Sequence, residues 1–368
     1  MIREGAQIPS RATTHSEEPL VEIFIFACGR GDTILVHLPG DRWALIDCYL
    51  TADVKGRFFD FLRHKGINSL AFVFLTHPHY DRFFGMAEVL QYFNEDGRSV
   101  ENFCDIGLDP KRIKSLLRGL PGESEYARLQ HKLEELDRIG TLKFYELGDT
   151  PTTLCVKGFE KQMMIVPIAP DTNSKRRILN EAIRKAGCGQ SCCFDPNILS
   201  MILVLTLNID SRRGNILFCA DAGKEQIDNA LDYWGSRTDI DCVSPLFHVV
   251  KVPHHGSFNS HSPRLVSALE KEESPCFAAI STDSRMPGLP SKSVIQDYLQ
   301  KGWTVLITGK RVRTSLRTNR LLGLLDRSCK TSYKTQMNDI LISWNTNSGF
   351  ANESIASSFF EDDLDSYE

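Results

Sequence analysis

Short apolar runs broken by glycine and polar turns set the rhythm of this chain. VEIFIFACG, from Val21, alternates and then meets a glycine, as a strand entering a tight loop does. GRGDTILVHLP and RWALIDCYL follow as two more strand-like runs with turn residues between them. Asp53 to Lys65 (DVKGRFFDFLRHK) carries apolar residues at helical spacing and predicts a short amphipathic helix. LAFVFLTH is continuously apolar, the mark of a strand buried on both faces, and Phe84 to Phe93 predicts a helix.

The pattern turns helical from Pro110 to Gly140. TLKFYEL and KQMMIVPIA read as strands, and SKRRILNEAIRKAG as a basic amphipathic helix. Strand signals return in ILSMILVLTLN, GNILFCADAG, FHVVKVPHHGS, CFAAIST and WTVLITG, with a helix at SKSVIQDYLQKG and a last strand at DILISWN. Strands alternating with helices predict the α/β class. The chain has 368 residues, 42% of them hydrophobic, enough for one large α/β domain with insertions or for two domains. The expected division is a polar segment over 1–20, a domain over 21–346 with a helical insert at 108–140, and an acidic tail over 347–368. The tail's FFEDDLDSYE is expected to be disordered.

A net charge of −4 excludes a chain that binds nucleic acid through overall basicity, so any such contact must be local. Lys310 to Lys334 holds eight Lys or Arg against one acidic residue, and reads either as a phosphate contact or as a solvated face. The first twenty residues lack the apolar core of a secretory signal. No apolar run approaches the ~20 residues of a membrane span, so a soluble, cytoplasmic protein with no membrane partner is expected. Of eleven cysteines, Cys28, Cys48, Cys219 and Cys276 sit in strand-like runs as reduced core residues. The cluster CGQSCC (Cys188, Cys192, Cys193) reads as loop thiols, or as half a zinc site lacking an obvious partner pair.

Candidate chemistry concentrates in three loops, each directly after a strand. THPHYD holds His77, His79 and Asp81; CADAG holds Asp221; VPHHGS holds His254 and His255. Strand ends can converge on one edge of a sheet and hold side chains rigidly there. Imidazole with carboxylate suits zinc, and also manganese or iron. Such an ion brings the pKa of its water to about 7 and polarises a phosphoryl or carbonyl oxygen, without a nucleophilic side chain.

These motifs resemble the metallo-β-lactamase superfamily, whose first metal motif is usually HxHxDH. Within it they are similar to the hydrolase domain of bacterial competence (DNA-uptake) proteins and its stand-alone relatives. GRGDT (Gly29, Gly31, Asp32) looks like that branch's GxGD loop, LIDC its strand end at Asp47, CADAG its acidic strand end, and HHGS its motif at His254 to Ser257. The resemblance covers about Val21 to Gly309 outside the helical insert. It implies an αββα sandwich with a metal site at one edge of two sheets. It also implies His77 and His79 as first-site ligands, Asp81 as second-site ligand or as a group acting on the water, and Asp221 as the shared carboxylate. One of His254 and His255 is implied as a ligand and the other as a support, with Asp32 and Asp47 supporting.

Two positions depart from the pattern. Arg82 stands where the second-site histidine is usual, and Leu289-Pro290 where a His-Pro pair is usual. One divalent ion, zinc or manganese, is therefore expected rather than two, with His261 a candidate substitute ligand or a solvated histidine. Arg82 has two readings: a catalytic clamp on a phosphodiester, or an occupant of the emptied site paired with Asp81 or Asp221. Two functions follow. One is a single-metal hydrolase of phosphodiesters, nuclease-like, with nucleic acid as partner and the basic segments at Ser174 to Lys185 and after Gly309 lining a path. The other is a non-catalytic binding or scaffold protein that docks a partner through the helical insert. Stand-alone relatives of this branch also occur in bacterial anti-phage systems. Thioester or lactam hydrolysis ranks below both.

Overall fold

The computed structural model of the protein describes residues 20–107, 117, 122–146, 153–160, 162–171, 173–178, 180, 195–209, 212–238, 244, 246–270, 275–282, 286, 288–308, 339–345 and 349–353. Two sheets face each other. The first joins β1 (Val21–Ile25), β2 (Ile34–Leu38), β3 (Arg42–Ile46), β5 (Phe72–Phe74), β7 (Asn102–Asp105), β8 (Lys143–Glu146), β16 (Ile340–Asn345) and β17 (Gly349–Glu353). Their order is β17-β16-β1-β2-β3-β5-β7-β8. The second joins β9 (Leu154–Cys155), β10 (Met163–Ala169), β11 (Ile202–Ile209), β12 (Arg212–Phe218), β13 (Val249–Lys251), β14 (Phe277–Ile280) and β15 (Thr304–Ile307). Here the order is β15-β14-β13-β12-β11-β10-β9. A small separate ladder pairs β4 (Ser69–Leu70) with β6 (Ser99–Val100).

Each large sheet is antiparallel at one end and parallel at the other. β3, β5, β7 and β8 run parallel, as do β12, β13, β14 and β15. Parallel strands need covering on both faces, which is why β5 and β13 are apolar throughout or nearly so. β11 shows the consequence residue by residue. Leu203, Leu205 and Leu207 join the core between the sheets, while Ile202 and Val204 join a second core on the sheet's outer face. That outer face is covered by α5 (Lys224–Ser236), α6 (Pro263–Ser267) and α7 (Lys292–Lys301), through residues such as Trp234, Leu265 and Tyr298.

The first sheet is covered by α1 (Ala52–His64), the short turn α2 (Tyr80–Phe83), α3 (Met86–Tyr92) and α4 (Glu123–Arg138). In α1, Val54, Phe58 and Leu62 are spaced four apart and all buried, as the sequence predicts. The helical insert expected over 108–140 takes a different role. Tyr126, Leu129, Leu133 and Leu136 fall on one face of α4 and are buried in the main core, so this helix is part of the outer layer. The expected αββα sandwich is present.

The first sheet also runs past residue 346, since β17 pairs along β16 from Asn345↔Gly349 to Leu341↔Glu353. The cysteines of CGQSCC, the basic run 310–334 and the terminal FFEDDLDSYE lie outside the described residues. Among the described residues, no helix is long and apolar enough to cross a membrane.

Candidate metal centre

The C-terminal ends of parallel strands from both sheets meet at one edge. β3 delivers Asp47, β5 delivers Thr76 and His77, β12 delivers Asp221, β13 delivers His254 and His255, and β14 delivers Ser281. The loop from β1 to β2 adds Asp32. Ligands commonly bind at this end of parallel strands, where loops can vary while the strands stay rigid. The two sheets are tied here through the backbone, with Met201 N–H donating to the Thr76 carbonyl at 2.9 Å.

Tight local geometry aims the side chains. Asp47, Ala220, His254 and His255 all hold left-handed backbone conformations (φ 56°, 47°, 46° and 55°). For residues with side chains this costs on the order of 1 kcal/mol or more each, and such strain gathers at sites that need a particular aim. Two glycines are dictated by space. A Cβ on Gly31 would lie 2.3 Å from the Tyr49 ring, and one on Gly256 would lie 2.6 Å from Pro290 Cβ.

His77, His79 and Asp221 form one candidate ligand group, with one ligand atom from each lying within 4.8 Å of the others. His77 is wholly buried, and its Nδ1 lies 3.1 Å from Thr76 Oγ1 and 3.4 Å from Ser200 Oγ. Its Nε2 has no hydrogen-bond partner and lies 3.7 Å from Asp221 Oδ2. Burial pushes the imidazole down to about 3, further lowered by Arg82 and His79 and opposed by Asp221, so the ring is neutral. A neutral, buried, unpartnered imidazole nitrogen facing a carboxylate fits a divalent metal, because the ion supplies the missing partner. His79 Nδ1 is likewise buried without a hydrogen bond, while 44% of that side chain is exposed at the mouth of the site.

A second group, Asp32, Asp221 and His255, meets the same 4.8 Å limit and is entirely buried. A guanidinium lies among them. Arg82 has no exposed surface. Its Nη2 donates to Asp221 Oδ1 and lies 3.2 Å from His255 Nε2, and its Nη1 lies 3.3 Å from Asp32 Oδ2 and donates to the Asp81 carbonyl at 3.2 Å. Its Nε lies 3.7 Å from Asp47 Oδ2. Burial opposes the charge on Arg82, but Asp221, Asp81, Asp32 and Asp47 outweigh it and hold the group firmly cationic. Burial raises the Asp221 carboxyl, and Arg82, with His255 and His77, overrides it, leaving the group well below the usual carboxylate range.

Asp32 is held down in the same way, against burial, by Lys251 and then Arg82, with Lys251 Nζ 3.0 Å away and Ser281 Oγ donating to it. Asp47 accepts from Thr76 N–H at 2.8 Å and Thr76 O–H at 2.7 Å.

Of the residues picked out by sequence, His77, His79 and Asp221 converge as one group, and His255 joins Asp32 and Asp221 in the other. Asp81 and His254 belong to neither group. Asp81 Oδ1 sits 3.3 Å from His79 Nδ1, and His254 Nδ1 faces Ser260 Oγ at 3.3 Å. Within HHGS the two rings differ in direction: His255 Nδ1 donates to the Ser281 carbonyl at 2.8 Å and so turns Nε2 inward. His261, the candidate substitute ligand, has its Nε2 held by Asp297 Oδ2 at 2.8 Å. Arg82, read from sequence either as a clamp on substrate or as an occupant of the site, is buried among four acidic neighbours with no exposed donor. Sequence reasoning missed Lys251, Thr76 and Ser281. Lys251 left a signal, a lone ammonium inside the apolar run FHVVKVP, which must find a carboxylate when buried.

Residues 27–166 match the family model of the metallo-beta-lactamase superfamily. No curated protein matches the chain. Among solved structures, the metallo-beta-lactamase fold protein YhfI from Bacillus subtilis aligns at 10% identity and a TM-score of 0.41, covering 78% of this chain and 95% of that one. A diphosphatase from the PhnP family aligns at 10% identity and 0.39, covering 81% and 98%. MEM-A1, a subclass B3 metallo-beta-lactamase from a soil metagenome library, aligns at 8% and 0.34, covering 63% and 76%. At these scores the structural alignments carry no argument about activity. The family match over residues 27–166 and the two-sheet sandwich, whose histidines and aspartates gather at one edge, support the resemblance to the metallo-beta-lactamase superfamily.

Proposed function

We propose that the chain is a metal-dependent hydrolase working with one divalent ion, zinc or manganese, held by His77, His79 and Asp221, and that its substrate is a phosphodiester. The observation that carries this reading is the buried, unpartnered Nε2 of His77, 3.7 Å from Asp221 Oδ2. An ion there would supply Lewis acidity and an acidified water near neutral pH.

The remaining steps belong to the chain's own residues. Thr76 and Ser200 flank His77 Nδ1 and fix the ring's rotation. Asp81, 14% exposed beside the more open His79, is the group that in this reading would take a proton from an attacking water. Arg82 fixes one oxygen of Asp221 and leaves Oδ2 turned toward His77. The basic run 310–334 supports a polyanionic substrate such as nucleic acid, because clustered Lys and Arg gain from releasing a phosphate backbone's counterions.

The test is elemental analysis of wild type and His77→Ala after loading with zinc or manganese, followed by assay on a phosphodiester such as bis(p-nitrophenyl) phosphate, a thioester and a β-lactam. About one metal per chain, lost in the variant together with at least a hundredfold of phosphodiesterase activity, is the expected outcome. Metal with activity only on the thioester or lactam would replace the substrate assignment. No metal in the wild type would end the hydrolase reading in favour of a non-catalytic binding protein, the function that the buried Arg82 favours.

A further inference from the structure

We propose that the Arg82 guanidinium is a built-in cation occupying a complete second metal position, so that this chain holds one divalent ion fewer than its own ligands could bind. This rests on the metal centre proposed above for its first position only.

Asp32, Asp221 and His255 each present a ligand atom within 4.8 Å of the others, and all three are buried. A surface ion pair would need none of this. The His255 ring donates Nδ1–H to the Ser281 carbonyl, which can only accept, so Nε2 points inward as a lone pair 3.2 Å from Arg82 Nη2. This is the tautomer and aim of a metal ligand. Its backbone is held at φ 55° to achieve it. Asp221 completes the picture with one oxygen on each side. Oδ1 accepts from Arg82, while Oδ2 faces His77 Nε2. A carboxylate that could join two metals here joins a guanidinium to the first position.

A divalent ion cannot join the guanidinium at the second position, because Arg82 already sits against all three ligands, Lys251 already holds Asp32, and a further like charge at such distances repels strongly away from water. Removing Arg82 would leave Asp32 paired with Lys251 but Asp221 without its guanidinium, a buried pocket with one unpaired charge that a divalent ion would neutralise. An imidazole at position 82 would add a fourth donor of the type zinc accepts.

The experiment counts metal, not turnover. Wild type, Arg82→His and Arg82→Ser are loaded with excess zinc, passed through a weak chelator to strip surface ions, and analysed for zinc per chain, with circular dichroism confirming the fold. The expected result is one additional equivalent in Arg82→His relative to wild type, and its loss again when Asp32→Asn is added. Arg82→Ser, smaller and without a new donor, should gain the same equivalent more weakly, and answers the question should Arg82→His not fold. Equal counts in wild type and both variants would overturn the proposal, as would two tightly bound equivalents in wild type. Wild type at zero with Arg82→His at one would leave Arg82's role standing while removing the single-metal reading of the native chain.

Discussion

Asp47 shows how much chemistry one buried carboxyl can carry. It accepts two hydrogen bonds from Thr76 and faces Arg82 Nε, yet burial outweighs both and pushes it up to about 8. A folded value raised above the ordinary 3.8 means that this group's contribution to stability is fully present below about pH 4 and is lost as pH rises through 8. The melting temperature of wild type should therefore fall between pH 6 and pH 9.5, and Asp47→Asn, which has no carboxyl to ionise, should fall less. Parallel curves would assign the alkaline loss elsewhere. At this scale much of the site is legible in sequence. His77, His79 and Asp221 announce themselves because ligand types follow apolar strands directly, and local chain order fixes where they sit. Arg82 is different. Its residue type fits a substrate clamp and a site filler equally, and its complete burial among residues 139 and 173 positions away is a tertiary fact that no local pattern carries.

Elements place these residues through packing that tolerates little change. A Cβ on Gly31 would strike Tyr49 at Cγ and Cβ, atoms too close to the backbone to swing aside. Gly31→Ala is expected to destabilise by about 1–3 kcal/mol in urea denaturation. The same change in a Tyr49→Ala background should cost distinctly less, since the clash is then gone. In α4 the expected effect is loss rather than crowding. Leu133→Ala empties a fully packed position against the first sheet's helices and should cost about 2–5 kcal/mol, whereas a surface appendage would lose almost nothing. The sequence marks α4 as amphipathic through Tyr126, Leu129, Leu133 and Leu136, but periodicity does not say what an apolar face will meet. The same limit explains β17, where GFANE offers little apolar alternation and gains strand structure by pairing along β16.

Across the whole molecule, the proposed ion would couple binding to folding. An ion that binds only the folded chain adds about 2.7 kcal/mol when present at a hundred times its dissociation constant. Zinc should raise the wild-type melting temperature by several degrees, EDTA should reverse the gain, and His77→Ala should show neither effect. The edge where this occurs belongs to neither sheet alone. Arg82 meets Asp221 across 139 residues of chain, and Lys251 meets Asp32 across 219. During synthesis at roughly 5–20 residues per second, Arg82 would leave the ribosome some seven to thirty seconds before the carboxylate that neutralises it. For that interval Asp32, Asp47 and Asp81 are already made, but the second sheet that helps shut Arg82 away from water is not. A nascent fragment ending before Asp221 therefore lacks the carboxylate that joins Arg82 to His77.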